Sequence, residues 1–264
     1  MHAKRVVVAV VLLPLFVIAV MGFPEAVFLF LLLTVSVVAQ WEFYTLCRVE
    51  GLMKNSGIFF GIFLLGAAYV SQSAFPFVAI AAFMAIFTIR LFGRRDPSSS
   101  LHDISLAALG LLYVPCLLSF QVLLRHSGPQ WIIFLFGCVW ISDSAAYYVG
   151  KAIGRRRLYR EVSPNKTVAG AVGSLAGGAL SGWLLNVALL HTIMTVWGSL
   201  MVGLIVGATT IVGDLVESMF KRDAGVKDSS TLIPGHGGVL DKIDGALFAG
   251  PVLYWVSHAA GLVR

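Results

Sequence analysis

Nine apolar runs dominate this chain and leave few folds open to it. They lie roughly at residues 6–21, 24–45, 57–71, 75–92, 101–124, 131–150, 168–190, 195–216 and 244–263. A helix that crosses the hydrocarbon core of a bilayer needs about 20 residues, and most of these runs reach that length. Hydrophobic residues make up 58% of the chain and charged residues 12%, against about 25% charged in soluble domains. The period-2 alternation of a transmembrane barrel is absent. The expected fold is all-α, a polytopic helical membrane protein with about nine transmembrane helices. The third run is short, so it is tilted, partly re-entrant or mis-bounded. The fifth holds Pro115 and is expected to kink there. No small-x-small cleavage site follows the first run, so it reads as a retained span.

Lysine and arginine set the orientation. With the N-terminus in the cytoplasm and strict alternation of nine spans, 17 of these cations fall on the cytoplasmic side. Only Arg125 and Arg264 fall on the other. The net charge of +6 is therefore a topology signal, and no nucleic acid is needed to explain it. Cys47, Cys116 and Cys138 are scattered and form no disulfide framework or zinc spacing.

Polar features gather in the second half. Residues 1–125 read as a transmembrane scaffold. Residues 126–264 read as the catalytic transmembrane region, with two cytoplasmic loops at 151–167 and 217–244. Between them, Gly170 to Gly182 (GAVGSLAGGALSG) is rich in small residues that let helices approach closely. That segment also offers a surface for a homodimer.

The stretch SMFKRDAGVKDSSTLIPGHGGVLDKID, Ser218 to Asp244, is the densest polar segment. Just before and within it, Asp214, Glu217, Ser218 and Lys221 recur at i, i+3, i+4 and i+7, one face of a helix. Carboxylates at the end of an apolar helix are costly unless paired or coordinating. They form either an ion pair with Lys221 or Arg222, or a metal site. Asp241 and Asp244 open the last apolar helix, where they either cap its first turn or join the preceding acids around a divalent cation. Oxygen ligands suit magnesium and argue against zinc. Gly235-His236-Gly237-Gly238 can bring backbone N–H groups close to an anion. His236 either binds phosphate or moves a proton, or is structural. Upstream, Asp143 sits in WISDSAAYYVGK, and Ser163, Asn165, Lys166 and Thr167 can donate to phosphate. The Arg155-Arg156-Arg157 run is either a topological anchor or a site for anionic lipid headgroups.

Ser218 to Asp244 resembles the signature of phosphatidate cytidylyltransferases, the CDP-diacylglycerol synthases. That signature reads S-x-apolar-K-R, four residues, K-D, then P-x-H-G-G-apolar-x-D-R-apolar-D. The chain matches it at Ser218, Lys221, Arg222, Lys227, Asp228, Pro234, His236, Gly237, Gly238, Asp241 and Asp244. Asp143 with AYYVGK, Gly154-Arg155 and the Ser-Pro-x-Lys-Thr run fit as well. Two positions depart: Asp241 is followed by Lys242 instead of arginine, and Ala169 stands where the family usually has glutamate. Lysine keeps the charge but loses the bidentate fork.

The resemblance implies transfer of the cytidylyl group of CTP to phosphatidic acid, giving CDP-diacylglycerol and pyrophosphate. It implies one or two divalent ions, Mg2+ or Mn2+, on Asp214, Asp241 and Asp244. Asp214, Lys221, Arg222, His236, Asp241 and Asp244 would carry the chemistry. Asp143, Ser163, Asn165, Lys166, Thr167, Lys227, Gly237, Gly238 and Lys242 would hold substrate. The expected location is the bacterial inner membrane, with the site facing the cytoplasm. Two rivals fare worse on the residues. A CDP-alcohol phosphotransferase needs DxxDGxxAR, and the Ala-Arg after Asp241, Asp244 and Gly245 is missing. A secondary transporter needs matching broken helices in two halves, and no internal repeat is visible.

Overall fold

The computed structural model describes residues 14–94, 96–232 and 237–263. His236 and half of the first apolar run, residues 6–13, lie outside the described residues. Helix α1 covers 14–22. It is followed by α2 (Glu25–Leu46), α3 (Gly51–Val70) and α4 (Phe75–Gly93). Next come α5 (Ser100–Leu111) and α6 (Leu117–His126), joined by a π-helical turn at Leu112–Cys116. After α7 (Pro129–Ile153), strands β1 (Arg157–Tyr159) and β2 (Ser163–Thr167) form an antiparallel hairpin. The chain continues through α8 (Val168–Leu185), α9 (Val196–Asp223) and α10 (Leu240–Ala259).

Seven helical stretches among the described residues are long and apolar enough to cross a membrane. They coincide with the second to eighth apolar runs. The third is a full 20-residue helix, about 30 Å at 1.5 Å per residue. The apolar run looked short because the first turns of the helix hold Lys54 and Asn55. Lys54 Nζ donates to Thr45 Oγ1 at 2.7 Å and lies 4.6 Å from the Trp41 ring. Pro115 is absorbed by the π turn, which lets the helix pass the missing N–H. Two stretches expected as loop are partly helical: α7 runs on to Ile153, and α9 runs on to Asp223.

Side-chain contacts collect the helix ends at two levels. At one end, Glu42 of α2 meets the start of α10, Lys166 of β2 meets Asp214 of α9, and Arg222 donates to Val162 O. At the other, Arg125 donates to Phe23 O, His126 meets Glu25, and Gln72 donates to Tyr254. This is the alternation expected of successive spans. Between the two levels, large apolar side chains face outward. Phe63 of α3 is 53% exposed and Met84 of α4 65%, a surface suited to hydrocarbon.

The core joins α2, α6, α7 and α10 around Phe43, Tyr44, Leu118, Trp131, Phe134 and Leu247. Tyr44 donates to Ala107 O at 2.7 Å. Gly57 and Gly110 leave room for its ring, because a Cβ at either would overlap it. The small-residue segment is consumed inside the chain. Gly173, Ser174, Gly177, Gly178, Ser181 and Gly182 are buried. A Cβ on Gly178 or Gly203 would collide with the other's carbonyl oxygen, so α8 and α9 touch backbone to backbone. The small residues of the segment thus pack inside the chain, while Val172 and Leu180 on the same helix stay exposed.

Candidate active site

Helix α9 carries the acidic face. Thr195 caps its start by accepting from Gly198 N at 3.1 Å, and 28 residues follow without a break. The i, i+4 pattern becomes contact. Ser218 Oγ donates to Asp214 Oδ1 at 3.3 Å, and Lys221 Nζ donates to Glu217. Lys221 also donates to Asp241 Oδ1 at 2.5 Å. Lys221 and Glu217 are buried, so this is a buried ion triad between α9 and α10. Removing either partner from such a group is costly because the other charge stays behind.

The hairpin supplies the second wall. Val168 N donates to Arg156 O at 2.9 Å, and Thr167 caps α8 by accepting from Gly170 N at 3.0 Å. These bonds fix Lys166 just ahead of the helix. Its Nζ lies 2.6 Å from Asp214 Oδ2. A cavity of about 590 Å³ opens between α7, the hairpin, α8 and α9. Asp143, Lys151, Arg157, Asn165, Lys166 and Asp214 line it, with Tyr147 at its side. Lys166 and Lys242 lie within electrostatic reach of Asp143.

The segment leading into α10 packs against the acidic face of α9 and contributes no lining residue to the cavity. Asp241 Oδ2 accepts from Ser229 N at 2.9 Å, Ser229 Oγ at 2.7 Å and Gly238 N at 2.8 Å. Gly237 takes φ +83°, in the left-handed region that favours glycine. A Cβ on Gly238 would strike the Ser229 hydroxyl and the Glu42 carboxylate. Asp244 accepts from Gly245 N at 2.8 Å. Asp214, Glu217 and Asp143 surround it electrostatically.

The expected metal triad is not brought together. Among the described residues, no group of three histidine, cysteine or acidic side chains is arranged to hold a metal ion. The reason is visible in the partners. Asp241 has both oxygens engaged, by Lys221 on one side and by Ser229 and Gly238 on the other. Asp214 is held by Lys166 and Ser218. The chemistry of the donors nevertheless fits a hard cation. Glu217 Oε1 is buried without a hydrogen-bond partner, Asp244 feels the charges of Asp214, Glu217 and Asp143, and Asp143 feels that of Asp214. Such an excess of negative charge calls for a positive ion.

The remaining expected residues divide. Asn165 and Thr167 line the cavity, although Thr167 uses its oxygen as a helix cap. Ser163 pairs with Tyr159 in the hairpin and is not among the lining residues. Arg222 is tied to Val162 O at 3.3 Å and Val226 O at 3.0 Å, bracing the hairpin instead of facing the cavity. The Gly238 N–H, expected to cradle phosphate, is taken by Asp241. Lys227 is exposed on the bend after α9.

Sequence reasoning gave Lys151 no role and read Arg157 only as part of an anchor or lipid-headgroup run, yet both line the cavity. It passed over Glu42, a fully buried acid in α2. A lone acid inside an apolar helix is a functional signal by default, so AQWEFY held the clue.

Comparison with known proteins matches residues 3–260 to a model described as the cytidylyltransferase family. A phosphatidate cytidylyltransferase of Synechocystis sp. is 33% identical over 254 residues, covering 81% of this chain and 82% of the relative. One from Brucella suis biovar 1 is 44% identical over 165 residues, covering 61% and 57%. One from Staphylococcus aureus strain COL is 38% identical over 157 residues, covering 58% and 59%.

Proposed function

The chain belongs to the cytidylyltransferase family, and from that membership we propose that it transfers the cytidylyl group of CTP to phosphatidic acid. A lipid phosphate oxygen attacks the α-phosphorus of CTP. The new P–O bond gives CDP-diacylglycerol, and the bond to the β-phosphate breaks to release pyrophosphate. Phosphate is already an anion at neutral pH, so no strong general base is needed. The task is to neutralise charge and align two anionic reactants. Neither the transporter nor the CDP-alcohol phosphotransferase reading gains support from the family.

The observation that carries the reading is the Lys166–Asp214 pair on the wall of the cavity, at the cation-rich end of the bundle. Lys166, Lys151 and Arg157 offer positive charge to a triphosphate, with Lys242 close to Asp143. A divalent ion, Mg2+ or Mn2+, would sit with Asp214, Asp244 and Asp143. Asp241 joins that set only by releasing Lys221 or the Ser229 and Gly238 donors. When bound, the ion supplies charge neutralisation to the triphosphate and the departing pyrophosphate. Lys221 holds Asp241 and Glu217, fixing α10 against α9. Nine spans with the N-terminus and the site in the cytoplasm of a bacterial inner membrane complete the reading. CTP is water-soluble, and both acyl chains then stay in the bilayer.

The test is label transfer from radioactive CTP into lipid by purified protein with phosphatidic acid, with and without magnesium. Magnesium-dependent transfer, lost in Asp214→Asn, is the expected result. No transfer by well-folded protein would sink the reading.

A further inference from the structure

We infer that Glu42, on the second helix, is a positioning residue that clamps the segment leading into α10, and so sets Asp241 and its partner Lys221 in place. The inference rests on the cytidylyl-transfer reading for its kinetic consequence, and on geometry for the clamp. Glu42 is 0% exposed, and among the described residues no lysine, arginine or histidine pairs with it. Four donors from one distant segment hold it instead. Ser230 Oγ lies 2.6 Å and Val239 N 3.0 Å from Oε1. Leu240 N lies 2.7 Å and Ser229 Oγ 3.2 Å from Oε2.

The arrangement has a physical logic. A helix start leaves backbone N–H groups without partners, and no local side chain caps α10. Glu42 reaches across from another helix and takes two of them, Val239 and Leu240. The helix dipole favours its negative charge there. A buried carboxylate without a cation is tolerated only when several donors satisfy it. Loss of the charge therefore weakens its hold on all four donors together.

Ser229 links this clamp to the site. Its hydroxyl lies between the two carboxylates, 2.7 Å from Asp241 and 3.2 Å from Glu42, and its single proton serves one at a time. Asp241 in turn holds Lys221. One chain of contacts thus runs from α2 through Ser229 to Asp241 and α9. Gly238 is pressed against the Glu42 carboxylate with no space for a side chain, so the clamp also fixes the backbone that feeds Asp241. Glu42 is not among the cavity-lining groups; it acts through others.

The experiment uses the full chain in detergent and compares Glu42→Gln with wild type by amide hydrogen exchange, thermal unfolding and steady-state label transfer. The substitution keeps the shape of the side chain but turns an amide NH2 toward donors. The expected result is faster exchange confined to the segment around 238–245, with α8 unchanged. Transfer should fall about 10- to 100-fold, the scale of a small misplacement of reacting groups, with the folded fraction preserved. A global loosening in which activity only tracks the folded fraction would overturn the inference. So would exchange and kinetics identical to wild type. If Glu42→Gln does not fold, Ser230→Ala removes a single clamp bond and Ser230→Thr restores a hydroxyl. Loss in the first and recovery in the second support the clamp; equal behaviour overturns it. If wild type transfers no label, the functional reading has failed, and the exchange comparison alone decides the clamp.

Discussion

Lys166, near the end of β2, places its ammonium 2.6 Å from the carboxylate of Asp214, well inside the long helix α9. The pair joins the β-hairpin to the acidic face of α9. It also keeps a cation at the cavity wall where phosphate would arrive.

Lys166→Met is expected to lower kcat/KM for CTP by about 10²- to 10³-fold, the usual effect of removing one electrostatic donor to a developing anion. Lys166→Arg keeps the charge and should retain part of the activity. Steady-state label transfer at several CTP concentrations measures both. Activity unchanged in Lys166→Met would remove this lysine from the phosphate-binding wall.

Lys221→Met leaves the Glu217 and Asp241 carboxylates buried without their shared cation. Breaking a buried ion group costs about 3–5 kcal/mol, so the unfolding midpoint in detergent should drop sharply. Adding Glu217→Gln removes one of the stranded charges and should recover part of the loss. A single variant as stable as wild type would show that the triad contributes little.

Gly203→Ala tests the α8–α9 contact. The new methyl group meets the Gly178 carbonyl, and overpacking of this kind costs about 1–3 kcal/mol. Gly66, where a Cβ would meet nothing within 4 Å, is the control. Gly203→Ala should unfold at lower temperature, while Gly66→Ala should not. Equal midpoints would contradict the packing.

Ser73 and Ser98 lie in exposed turns at opposite ends of the bundle. With the native cysteines replaced, a membrane-impermeant maleimide applied outside intact spheroplasts should label Ser73→Cys and not Ser98→Cys. The reverse pattern would invert the orientation inferred from lysine and arginine.

The helical bundle was legible because apolar runs of spanning length have few other solutions. Asp214, Glu217, Ser218 and Lys221 were legible because a helix period puts them on one face, and they do touch in part. Two things were hidden. Local spacing does not show how acids share partners across helices. The capture of Asp241 by Lys221 and Ser229, which separates it from the expected metal set, therefore could not be read from Asp241 and Asp244 alone. The role of α2 was hidden for the same reason. Glu42 and Leu240 are 198 positions apart, beyond any local pattern. The loop at 151–167 was legible as a place for chemistry, but its hairpin was not, because strands of three and five residues leave little periodicity to see.

The reach of Glu42 across the bundle also bears on how the protein is made. Helix α2 emerges from the ribosome long before the residues that will satisfy its buried acid exist. Until α10 follows, that carboxylate must stay hydrated or find temporary partners, and Lys221 lacks Asp241. Asp241 is thus set in place late, by the closing of α10 onto α2. A chain inserted only as far as α9 holds the cavity walls of α7, the hairpin, α8 and α9 but lacks Asp241 and Asp244.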